Sequence, residues 1–90
     1  MPIYLVTYDL YSSEQHNEKL LNLIRAASSW ARLGESSYLI KSDESVSTLR
    51  DEYAKVLDAN DRLFITAVDR PAAWHSLPKE VDQWIRDNYE

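Results

Sequence analysis

At 90 residues with no cysteine, the chain is expected to form a single domain, and disulfides, thiolate metal sites and thiol nucleophiles are excluded. Hydrophobic residues at 44% and charged residues at 28%, with a single glycine, describe a globular chain and not a disordered one. The net charge of −5 arises from fifteen acids among which ten basic residues are spread almost evenly, so no basic stripe is available to neutralise phosphates, and nucleic-acid binding is disfavoured.

The first element is an extended run, Ile3-Tyr4-Leu5-Val6-Thr7-Tyr8-Asp9-Leu10, apolar or β-branched except for a carboxylate near its end. Ser12 and Gln15 have the spacing of a capping box and predict a helix over Glu14 to Ala27, with Leu20, Leu21, Leu23, Ile24, Ala26 and Ala27 on its apolar side. Trp30 to Leu33 and Ser36 to Lys41 then read as two short strands around Gly34, which is expected to supply a positive φ or a bulge. Ser42-Asp43-Glu44-Ser45 offers cap residues for a second helix carrying Val46, Leu49, Tyr53, Val56 and Leu57 on one face. Arg62 to Val68 reads as a strand apolar on both faces apart from Thr66, ended by Pro71. A last helix begins near Pro78 and repeats Val81, Trp84, Ile85 and Tyr89 at helical spacing.

The order β-α-β-β-α-β followed by α predicts an α+β fold: a ferredoxin-like βαββαβ sandwich over residues 3–69, with a C-terminal extension over 70–90 that adds a helix. In that topology the first strand lies inside the sheet, which accounts for its apolar length. The two core helices cover one face of the sheet. The other face must be covered by the C-terminal helix or by a second copy of the chain, because a large bare apolar face on a small protein marks an interface.

Among single residues, Asp9 admits two readings. It is either an N-cap or Asx-turn at the strand-to-loop junction before Ser12 and Ser13, or a carboxylate shared across a dimer that draws Mg²⁺ or Mn²⁺, hard cations that prefer oxygen ligands. His16 and His75, nearly sixty residues apart, read as surface residues and not as a ligand pair. Tyr4, Tyr8, Tyr11 and Tyr38 could stack on bases, but without flanking Lys and Arg they read as packing residues. Ser36-Ser37 has no neighbouring base to make a nucleophile. Trp74, Val81, Trp84 and Tyr89 are the candidate interface set, as anchors for a partner or as a lid over the chain's own sheet. No apolar run approaches the roughly 18 residues of a membrane span, and no charged leader precedes an apolar core, so a cytoplasmic protein is expected.

Three stretches together carry a family resemblance: Tyr4-Leu5-Val6-Thr7-Tyr8-Asp9-Leu10, Arg32-Leu33-Gly34-Glu35-Ser36-Ser37-Tyr38-Leu39-Ile40, and Asp58-Ala59-Asn60-Asp61-Arg62-Leu63-Phe64-Ile65. Over residues 3 to 69 the chain resembles the small CRISPR-adaptation subunit, Cas protein two, and its VapD-type ribonuclease-toxin relatives. The resemblance implies a homodimer, with Asp9 at the position where the family carries an aspartate near the twofold axis, proposed there to hold a divalent metal for phosphodiester cleavage. It also puts Ser36 or Ser37 where the family often has a polar residue. The first helix has two basic and two acidic residues where DNA-holding members are richer in arginine, which argues against DNA scaffolding. The expected function is therefore a homodimeric scaffold or binding module that needs no cofactor and engages a protein partner. The alternative is a Mg²⁺- or Mn²⁺-dependent endonuclease that uses Asp9 from both subunits.

Overall fold

The computed structural model describes residues 1–11 and 14–89. Its elements run β1 (Ile3–Asp9), α1 (Glu14–Ile24), β2 (Ser29–Gly34), β3 (Ser37–Lys41), α2 (Val46–Ala54), β4 (Arg62–Val68) and α3 (Lys79–Asn88). The four strands form one sheet in the order β2-β3-β1-β4, with every neighbouring pair antiparallel. This is the ferredoxin-like arrangement with an added C-terminal helix. β1 is interior, as its apolar length requires: Leu5 stands between Leu39 and Thr66, and Thr7 between Ser37 and Phe64.

Because side chains alternate along a strand, β1 feeds two cores. Tyr4, Val6 and Tyr8 face Leu20 and Ile24 of α1, Leu49 and Tyr53 of α2, and Tyr38 and Ile40 of β3. Ile3 lies on the opposite face with Ala31, Leu39, Val81 and Ile85, where Leu5, Val68, Trp74 and Trp84 pack around them. The tyrosines of the first core are therefore buried. Their hydroxyls reach its edge, where Tyr4 donates to the Glu44 carbonyl at 2.7 Å and Tyr8 to the Glu35 carbonyl at 3.2 Å. Tyr38 accepts from the Arg25 guanidinium at 3.1 Å, and that guanidinium also lies 5.2 Å from the Trp30 ring centroid. Tyr11 alone of the four candidate stacking tyrosines is exposed.

Both core helices are shorter than their apolar stripes suggest, for the same reason. α1 stops at Ile24, and Ala26 and Ala27 close tighter turns onto the carbonyls of Leu23 and Ile24. α2 stops at Ala54, with Val56 and Leu57 doing likewise onto Tyr53 and Ala54. Apolar residues thus continue to face the core after the α-geometry has ended. α2 opens as expected, with the Ser45 hydroxyl accepting the Thr48 amide at 3.1 Å. The capping box expected at the start of α1 involves Ser12, which lies outside the described residues.

The β2–β3 hairpin contains the expected irregularity at glycine, but only one of its two anticipated forms. The register slips between Arg32 and Gly34, a bulge that leaves Leu33 unmatched, whereas the backbone of Gly34 does not take a positive φ. Pro78 occupies the position just before the first turn of α3.

β4 differs from expectation more substantially. Its sequence reads as buried on both faces, yet it is an edge strand, with Arg62, Phe64 and Ala67 exposed. For Arg62 and Phe64, which share the face on which α3 packs, the cause is the seat of α3; Ala67 lies on the opposite face, in register with Tyr4. A ten-residue helix is about 15 Å long, while a seven-residue strand spans about 23 Å, so α3 cannot cover the whole second face. It is pinned at one end of the sheet, where the Trp84 indole N–H donates to the Ser29 hydroxyl at 2.6 Å and Lys41 Nζ to the Asn88 side-chain carbonyl at 3.0 Å. The other end of that face stays bare.

Candidate functional site at the rim where β1 ends and β4 begins

The bare end of the sheet is also where the chemistry-bearing residues converge. On the face that α3 leaves open, Thr7 and Asp9 of β1 stand opposite Phe64 and Arg62 of β4. Phe64 is 60% exposed, which for an aromatic in the middle of a strand is a large unburied apolar surface. These four side chains border a shallow depression of about 190 Å³. β4 has a neighbour on one side only, so alternate backbone N–H and C=O groups of its outer edge face away from the sheet.

Asp9 is exposed at this rim, and its side chain makes no hydrogen bond or ion pair among the described residues. The Asx-turn expected there is therefore absent from the described residues. The carboxylate remains available, with the cationic Arg62 as its direct cross-strand neighbour.

Just beyond Asp9, the loop into α1 meets the loop from α2 into β4, and Asp61 joins them. Its side chain has 0% exposure. Oδ1 accepts the Tyr11 amide at 3.0 Å and Oδ2 the Asp58 amide at 3.0 Å. Oδ2 also lies 3.3 Å from Nδ1 of His16, on the first turn of α1, while Oδ2 of Asp58 stands 4.0 Å from the same nitrogen. The Asp58 carboxylate in turn accepts the Asn60 amide at 2.8 Å, which shapes the turn. His16, Asp58 and Asp61 are thus the donors at this rim that converge closely enough to hold a metal ion, each offering an atom within 4.8 Å of the others.

From the sequence His16 reads as a surface residue, and Asp58 and Asp61 enter only within the stretch that carries the family resemblance. The pairing could not be anticipated from spacing, since 45 residues separate His16 from Asp61 and only β1–β4 pairing brings them together. His75 is exposed and takes no part. Ser37 contributes a hydroxyl contact to Thr7 at 3.5 Å, and Ser36 sits in the hairpin turn.

The expected interface set lies elsewhere, on α3 and the segment before it. Val81 is buried in the second core. Trp84 and Tyr89 pack around that core. Trp74 does so too, donating its indole N–H to Asp82 at 2.6 Å while Arg86 stacks on its ring at 5.4 Å. In one chain, then, these residues form the lid over its own sheet. Of the exposed aromatics among the described residues, Tyr11, Trp30 and Phe64, it is Phe64 that stands on the sheet face α3 leaves open.

No protein-family model matches the chain, and no curated protein matches it. The fold is similar to the crystal structure of a hypothetical protein, TT1823, from Thermus thermophilus, with a TM-score of 0.69 and 26% identity over 86% of this chain and 94% of that one. This likeness bears on architecture and brings no activity with it. No helix among the described residues is long and apolar enough to cross a membrane.

Proposed function

We propose that the protein acts as a homodimeric binding or scaffold module, and that two copies meet through the part of the sheet that α3 leaves open. The exposure of Phe64 carries this reading. Burying one such side chain in full contributes roughly 1.5–3 kcal/mol, and a symmetric contact buries two. The open edge of β4 supports it as well, because an edge strand left bare invites pairing with another chain. The resemblance of Tyr4 to Leu10 and Asp58 to Ile65 to the dimeric CRISPR-adaptation subunit points the same way. With a net charge of −5, the assembled module suits a protein partner better than a polyanion. Light scattering on the purified chain at micromolar concentration tests the proposal. Wild type should be a dimer, and Phe64→Asp a monomer with unchanged circular dichroism. A monodisperse wild-type monomer overturns it.

A second reading is favoured by the position of Asp9 on the same open face. If copies meet there, the two Asp9 carboxylates approach each other, and a Mg²⁺ or Mn²⁺ ion held between them would serve phosphodiester cleavage. Arg62 across the register weighs against it, since a neighbouring cation competes for the carboxylate. Cleavage of RNA or duplex DNA that is stimulated by Mn²⁺ and lost in Asp9→Ala supports the nuclease; cleavage that survives the substitution rules Asp9 out.

A further inference from the structure

The rim holds a second feature that neither the dimer nor Asp9 uses. Two carboxylates, from Asp58 and Asp61, face one imidazole nitrogen of His16 from 4.0 and 3.3 Å. In a tetrahedral Zn²⁺ shell with bonds of about 2.0–2.2 Å, adjacent donor atoms stand about 3.3–3.6 Å apart. The His16–Asp61 distance already has that value. The remaining separations, all within 4.8 Å, close by a small rotation of the Asp58 side chain, which is 47% exposed and approaches His16 through Oδ2 while Oδ1 holds the Asn60 amide. Asp61 needs no movement. Its carboxylate is fully enclosed and fixed by the Tyr11 and Asp58 amides, the kind of outer hydrogen bonding that orients a metal-ligating carboxylate.

The donor chemistry narrows the ion. An imidazole nitrogen with two carboxylates suits Zn²⁺ and its transition-metal neighbours, whereas Mg²⁺ prefers oxygen donors alone and octahedral geometry. Two carboxylates held this close repel each other, and a dication between them reverses the sign of that interaction. We infer that His16, Asp58 and Asp61 form a binding site for a Zn²⁺-class cation, which clamps the first turn of α1 to the loop that leads into β4. Three protein ligands leave a fourth position for water. The site is separate from the Asp9 position and does not depend on dimer formation.

The probe is Zn²⁺ alone, added to the purified full chain and followed by calorimetric titration and thermal unfolding, with Co²⁺ substituted to read coordination from its visible spectrum. One Zn²⁺ should bind per chain, and the melting temperature should rise by about 10–20 °C when Zn²⁺ exceeds its dissociation constant about 100-fold. Co²⁺ should give the intense visible bands of a tetrahedral site. His16→Gln and Asp58→Asn should each abolish saturable binding while His75→Gln leaves it intact. Asp58→Asn retains an oxygen for the Asn60 amide and lies on the surface, so it remains informative even if His16→Gln weakens folding. Absence of saturable binding by wild type overturns the inference, as does binding that survives either site variant or that is lost in His75→Gln.

Discussion

Replacing Tyr53 by phenylalanine removes one oxygen from the core under α1 and α2. Tyr53 is 2% exposed, and its hydroxyl has no hydrogen-bond partner among the described residues. A buried hydroxyl left unpaired costs about 1–3 kcal/mol in lost hydration. The void created by Tyr53→Phe is smaller than the roughly 30 Å³ share of one water molecule. At about 24 cal/mol per Å³ that void costs less than about 0.7 kcal/mol. The variant should therefore be more stable than wild type by about 0.5–2 kcal/mol, measured by urea unfolding at neutral pH. The pH dependence gives an independent check. Burial pushes the Tyr53 hydroxyl up to about 12, whereas a tyrosine in the unfolded chain ionises near its ordinary value of 10.0. Below pH 10 both states hold the proton and the contribution is fully present. As pH rises from 10 to 12 the unfolded state gives up its proton first, so wild type loses stability that Tyr53→Phe keeps, and the gap between them should widen. Tyr8 and Tyr89, also pushed up by burial, remain in both proteins and cancel in the comparison. A variant less stable than wild type by about 1 kcal/mol or more would refute the reasoning, because it would mean that the hydroxyl has a partner worth a full hydrogen bond.

Three further substitutions test other parts of the fold. Gly34→Ala should be neutral or stabilising by up to about 1 kcal/mol in thermal unfolding, since φ is not positive and an added Cβ meets nothing within 4 Å. Val81→Asp should unfold the chain or lower its stability by more than about 3 kcal/mol, because it places a carboxylate in the second core; a well-folded monomer from this variant would show that α3 does not pack on its own sheet. Asp82 is held below the usual carboxylate range, first by the Arg86 hydrogen bond and then by that from Trp74. Its contribution is present above the ordinary carboxylate value and is lost as pH falls through the depressed one. Asp82→Asn should therefore be less stable than wild type at neutral pH, with the difference shrinking in acid; a difference independent of pH down to 2 would exclude the ionic contact as its source.

Local pattern carried much of the fold. The uninterrupted apolar character of Ile3 to Tyr8 placed β1 inside the sheet, Ser45 marked the start of α2, and the single glycine marked the β2–β3 irregularity. Each depends on neighbours within a few residues, which is what periodicity and cap chemistry report. The candidate site was legible in part. Asp9 could be placed at the strand end, but the His16–Asp58–Asp61 group could not, because its members meet only through the loops flanking the β1–β4 pair.

Phe64 and Trp84 show where sequence and tertiary structure divide. Both are large aromatics, Phe64 in a strand that reads as apolar on both faces and Trp84 on the apolar side of a helix, and the residues around them forecast burial for both. The order of amino acids determined that there would be a four-stranded sheet with an extra helix to lay on its second face. Tertiary structure decided which part of that face the helix covers. Three strands and a ten-residue helix meet at the Ile3 end, where Val81 and Ile85 find Leu39 and Ala31, and where Trp84 and Asn88 find Ser29 and Lys41. Satisfying those contacts fixes α3 at that end. Its length then leaves Phe64, Thr7 and Asp9 to whatever approaches from outside.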